Sequence, residues 1–85
     1  MTLDEWKAQN PMRPWMVKNK KTFSQVSREL GTGQSTVGYW LNGAKVPNDS
    51  SFEKIGKLIR PKLGVATLKA RWLEWRESHK FVIYT

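Results

Sequence analysis

The sequence predicts an all-α fold, a compact bundle of about five short helices, on three observations. Apolar residues recur at helical spacing, as in Phe52, Ile55, Leu58 and Ile59. Capping signatures and proline or glycine punctuation cut the chain into short segments. The length of 85 residues allows one domain, 1–85, with a modest core. Helices of this size are unstable alone, so a shared core must hold them.

The elements follow in order. Thr2 is placed to cap a helix over 3–9, with Asp4 and Glu5 near its positive end. Asn10-Pro11 and Pro14 break that helix, because proline lacks a donor and disfavours a helical residue before it. A second helix then starts near Arg13, with Pro14 in its first turn, and runs through Trp15 and Met16 to about Asn19. Thr22-Phe23-Ser24-Gln25 has the form of a capping box and opens a third helix, which Gly31 stops. Thr32-Gly33 completes a tight turn. The next helix starts at Gln34, buries Val37, Trp40 and Leu41, and ends at Asn42-Gly43. After a loop over 44–49, Ser50 or Ser51 caps a helix that Arg60-Pro61 ends. The last helix spans about 66–78, with Leu68, Trp72 and Trp75 four and three apart. The tail 80–85 carries an apolar run over 81–84 that suits a strand, a docked extension or a frayed end.

Composition narrows the function classes. The chain has no cysteine and one histidine, which rules out disulfide staples, thiolate metal sites and a metal site built on His79 alone. No apolar run reaches membrane-spanning length, and the N-terminus lacks the apolar stretch of a signal peptide. These features point to a soluble intracellular protein in a reducing cytoplasm. The net charge of +8 is concentrated: residues 1–12 contribute −1, residues 13–62 contribute +7 and residues 63–85 contribute +2. A basic middle segment suits a polyanion, with nucleic acid ahead of an anionic membrane. Asp4, Glu5, Asp49, Glu53, Glu74 and Glu77 are scattered on helix starts or beside basic residues. With no Ser/His/Asp order, metal spacing or phosphate loop in view, neither an enzyme nor a cofactor is expected.

The segment 23–43 holds the informative constellation. Its first helix carries Val26 and Leu30 at its fourth and eighth positions, facing the core, and the small Ser27 at its fifth, facing the next helix. Gly31 supplies positive φ at the turn. On the second helix Gln34, Ser35, Gly38, Tyr39 and Asn42 form one stripe opposite Val37 and Trp40. That stripe is polar and uncharged, whereas a merely solvated face more often carries Lys and Glu. Glutamine pairs with adenine in the major groove, serine serves several bases, and Gly38 permits close approach of the backbone. Lys18, Lys20 and Lys21 precede the motif and Lys45 follows it, where either phosphate contact or plain solvation fits.

Gly31-Thr32-Gly33-Gln34-Ser35-Thr36-Val37-Gly38, followed by Asn42-Gly43, resembles the helix-turn-helix of phage repressors of the lambda repressor and Cro type. The resemblance covers roughly 13–59. It implies a lambda repressor-like DNA-binding domain with helix 34–41 in the major groove of double-stranded DNA, often as a dimer on paired half-sites. It implies base reading by Gln34 and Ser35 and phosphate binding by Asn42; Gly38 and Tyr39 share the base-reading stripe, and Thr22 and Thr36 are further phosphate candidates. Phe23 stands where the family has a glutamine that buttresses the reading residue, so Ser24 or Gln25 would replace its phosphate contact. Ser27 replaces the usual alanine, and Tyr39 is large enough to pack on a thymine methyl or a sugar.

The expected function is a sequence-specific transcriptional regulator, of phage or mobile-element repressor type, with no small-molecule effector. A protein-interaction module on the same fold, antitoxin-like or binding a host factor, and a nonspecific DNA-coating protein are the competing readings. The five tryptophans bear on the first of these. Trp15, Trp40 and Trp72 fit the core, whereas Trp6 and Trp75 are harder to place and suit an interface. Leu68, Trp72, Trp75 and His79 form a seam that serves either core packing or a homodimer contact, and His79 suits a helix-end cation.

Overall fold

Local chemistry sets where each helix starts and stops in the computed structural model, which describes residues 1–62 and 64–84. Among the described residues there are six α-helices: α1 (Leu3–Ala8), α2 (Arg13–Lys18), α3 (Phe23–Leu30), α4 (Gln34–Leu41), α5 (Asp49–Ile59) and α6 (Gly64–Glu77). A 3-10 turn, Ser78–Phe81, closes the series. The architecture is a compact, mostly helical globule, whose six α-helices correspond to the six helical segments read along the sequence, one more than the round figure of about five. Thr85, at the end of the expected tail, lies outside the described residues.

The caps follow the side-chain chemistry closely. Thr2 accepts from the Glu5 amide at 3.2 Å. In the α3 capping box Thr22 Oγ1 accepts from the Gln25 amide at 3.2 Å, and Gln25 Oε1 accepts from the Thr22 amide at 2.8 Å. Gly31 sits at φ +67° and ends α3, and the Thr32 amide donates to the Ser27 carbonyl at 3.0 Å. The start of α5 differs from the expectation at Ser50 or Ser51. Asn48 is the cap, its Oδ1 accepting from the Ser51 amide at 2.8 Å, which places both serines in the first turn. The last helix also begins earlier than expected, at Gly64 rather than Ala66.

Packing proceeds α1 on α2, α3 on α4 and α5, and α5 on α6. Val26, Leu30, Val37, Trp40, Leu41, Phe52 and Ile55 are buried together. Trp72 meets Phe52 edge to face, with centroids 5.6 Å apart, and Trp75 likewise at 6.3 Å.

Three aromatic placements correct the sequence reading. Trp6 and Trp75 are core rather than interface: they stack at 4.4 Å with an interplanar angle of 8°. Trp6 Nε1 donates to the Trp75 carbonyl at 2.8 Å, and Trp75 Nε1 donates to the Trp6 carbonyl at 2.6 Å. Leu68, Trp72 and Trp75 are 3%, 0% and 6% exposed, so this candidate dimer seam is spent inside the monomer. Trp15 is only half-buried, packed against the core rather than within it.

His79 meets the Trp6 ring edge-on at 4.5 Å and hydrogen-bonds the Tyr84 hydroxyl through Nε2. The tail docks rather than frays. The Ile83 amide donates to the Met1 carbonyl at 2.8 Å, in a parallel bridge between Thr2 and Ile83.

The Trp6–Trp75 pair also reaches the turn that follows α4. Gly43 has φ +75°, and a Cβ there would lie 2.7 Å from Trp6 Cη2. Gly43→Ala is therefore expected to cost about 2–5 kcal/mol, from left-handed strain plus overpacking, read as a fall in the urea midpoint. Gly31→Ala has the same backbone strain but open space around its Cβ. It should cost only about 1–2 kcal/mol. Equal losses at the two positions would show that the Trp6 contact carries no weight.

Candidate nucleic-acid interface

The inner face of α4 is anchored by Val37, Trp40 and Leu41, at 0%, 6% and 0% exposure. Because a helix has two sides, that anchoring turns Gln34, Ser35, Tyr39 and Asn42 to solvent, with Gly38 and Thr36 half-buried at the margin. The stripe expected from the spacing is thus one exposed surface.

Its neighbours divide into groups. Lys45 folds back across α4: the amides of Ala44 and Lys45 both donate to the Tyr39 carbonyl, and Lys45 Nζ sits 4.9 Å from the Tyr39 ring centroid. Lys18, Lys20 and Lys21 gather elsewhere, with Lys7, Thr22 and Phe23, around a groove of about 930 Å³ in which Asp4 is the acidic member. Lys18 and Lys20 are exposed, whereas Lys21 pairs with Glu29 at 2.8 Å and is partly neutralised. Thr22 and Gln25 spend acceptor oxygens on the capping box, which leaves the threonine O–H and the glutamine Nε2 as donors. Ser24 is half-buried, and its carbonyl accepts from Ser27 Oγ at 2.8 Å.

Arg13 is the residue that sequence reasoning missed. Its Nη2 donates to the Leu41 carbonyl at 3.3 Å and to Asn42 Oδ1 at 3.2 Å, tying α2 to the carboxyl end of α4. Its guanidinium lies 5.5 Å from the centroid of Phe23. Burial lowers the Arg13 pKa, yet a guanidinium stays charged across the physiological range. A cation at the carboxyl end of a helix complements its dipole.

The arrangement gives Phe23 and Asn42 defined roles. Phe23 carries Arg13 on its face, and its ring edge lies 4.0 Å from where a Gly38 Cβ would be. Phe23 therefore sits between Arg13 and the Gly38 side of α4. Asn42 Oδ1 is held by Arg13, so its amide Nδ2 is presented as a donor, the polarity an anion requires. The only sequence signal for this pairing was an unexplained phenylalanine at the start of α3. Contact between residues ten and more apart leaves no local periodicity.

Among the described residues no three His, Cys, Asp or Glu side chains come together as a metal site, and no helix is long and apolar enough to cross a membrane. Compared with protein-family models, curated proteins and solved structures, the chain matches none. The functional reading therefore stands on the chemistry of this surface.

Arg13→Ala should lower unfolding stability by about 1–2 kcal/mol in urea titration, through loss of a charge-assisted hydrogen bond pair and the aromatic contact. Arg13→Lys should recover less than half of that loss, because one ammonium does not reproduce the planar fork. Full recovery by lysine would reduce Arg13 to a point charge.

Proposed function

We propose that the protein is a sequence-specific double-stranded DNA-binding regulator with a lambda repressor-like domain, of the phage or mobile-element repressor type. The observation that carries this reading is the exposed stripe of Gln34, Ser35, Tyr39 and Asn42 on a helix whose other face is fully buried. An α-helix fits the major groove, and α4 offers it paired donors and acceptors rather than charge. Gln34 and Ser35 read base edges, Gly38 allows close approach, and Tyr39 packs on a thymine methyl or sugar. Asn42 Nδ2, Lys45, Lys18 and Lys20 hold phosphate, and Thr22, Ser24, Gln25 and Thr36 add neutral donors. Lys21 contributes less because of its ion pair with Glu29. In this role the protein acts at the bacterial nucleoid, without catalysis or an effector.

A protein-interaction module is the second reading, favoured by one observation. Phe81, Ile83 and Tyr84 are 69%, 60% and 64% exposed on the docked tail. A stoichiometric protein partner, or a homodimer, whose binding survives substitution of Gln34 and Ser35 but not of Ile83 would select it.

Selection of bound sites from a random DNA pool tests the first reading, and a pair of half-sites about one helical turn apart would indicate binding as a dimer. On the selected site Gln34→Ala should cost about 1–3 kcal/mol of binding free energy and relax preference at one base position. Its thermal melt should match wild type, since Gln34 is exposed. Unchanged affinity and preference in that variant would refute base reading by α4.

A further inference from the structure

A second cleft lies beyond the carboxyl end of α4, about 420 Å³ in volume. Asn42, Gly43 and Ala44 form one wall, and Arg76, Glu77, His79 and Lys80 form the other. Arg76 Nε donates to the Gly43 carbonyl at 2.8 Å, which locks the end of α6 to the turn after α4. The Trp6–Trp75 stack lies directly beneath, where Gly43 has no room for a side chain. The cleft is therefore held rigidly against the proposed base-reading helix.

One hydrogen bond links the linings of the two clefts. Arg13 lines the groove of Lys18 and Lys20, Asn42 lines the second cleft, and Arg13 Nη2 donates to Asn42 Oδ1. Cations therefore line both clefts, Lys18, Lys20 and Arg13 the first and Arg76 and Lys80 the second. We infer that the second cleft is a further phosphate site, through which Arg76 and Lys80 extend the hold on one DNA strand past the carboxyl end of α4. This rests on the DNA-binding reading and adds to it residues of α6 and the 3-10 turn.

Capping of α4 alone accounts for Arg76, because its Nε already satisfies a turn carbonyl. It does not account for Lys80, whose Nζ lies 5.2 Å from the Phe81 ring centroid. Arg76 also keeps its Nη groups as donors once Nε is used. Glu77, exposed in the same wall, opposes an anion and provides a discriminating handle.

The test measures affinity for the selected DNA site and for random DNA across a range of salt concentrations. Lys80→Gln should weaken binding about threefold to tenfold on both DNAs and reduce the slope of log affinity against log salt by about 0.9. Glu77→Gln should tighten binding about twofold to fivefold on both. Arg76→Gln, checked by thermal melting, should lower the slope further in combination with Lys80→Gln. Wild-type slopes and affinities in Lys80→Gln and Glu77→Gln, while Gln34→Ala still loses base preference, would overturn the second cleft and leave the DNA-binding reading standing. A wild-type protein that binds neither DNA would overturn both.

Discussion

The indoles of Trp6 and Trp75 stack at 4.4 Å, and each donates its N–H to the other's carbonyl across 69 residues of chain. Burying two indoles removes a large apolar area from water, but it also buries two donors that must find acceptors. The reciprocal hydrogen bonds meet that requirement, and a stacked pair adds about 0.5–1.5 kcal/mol beyond its area. This pair joins the first helix to the last. Without it α1 is a six-residue helix left to its packing on α2 and the Thr2–Ile83 bridge.

The same pair supports the surface proposed to meet DNA. Trp6 fills the space beside Gly43, so the turn after α4 rests on an aromatic floor. Arg13 and Arg76 then reach carbonyls at that end, one from α2 and one from α6. Two cations at the carboxyl end of α4 complement its dipole and fix its direction. The amino end depends on something different: Gly33 is its cap and supplies no side-chain hydrogen bond. There the turn geometry set by Gly31 and the buried Val37 do the positioning.

The fold was largely legible because its determinants are local. The capping box at Thr22 and Gln25, the stop at Gly31 and the break at Asn10-Pro11 are short-range chemistry written in adjacent residues. The exposed stripe of α4 was legible for a related reason, since burial of Val37 and Trp40 dictates which face is left over. The start of α5 was misplaced because Asn48, Ser50 and Ser51 are all competent caps, and only the chain's path out of the Pro47 loop chooses between them. The role of Leu68, Trp72 and Trp75 was ambiguous because an apolar seam has the same spacing whether it meets its own chain or another.

By itself, then, the sequence determined the helices, the caps at Thr2 and Thr22, the basic middle segment and the polar face of α4, all properties of periods and neighbours. Only the tertiary structure decided that Trp6 belongs with Trp75, that Phe23 carries Arg13, and that Arg76 meets the turn after α4. Those pairings join distant segments and depend on how whole helices pack. No local pattern encodes them, because the contact energy is realised only once the core has brought both partners to the same place.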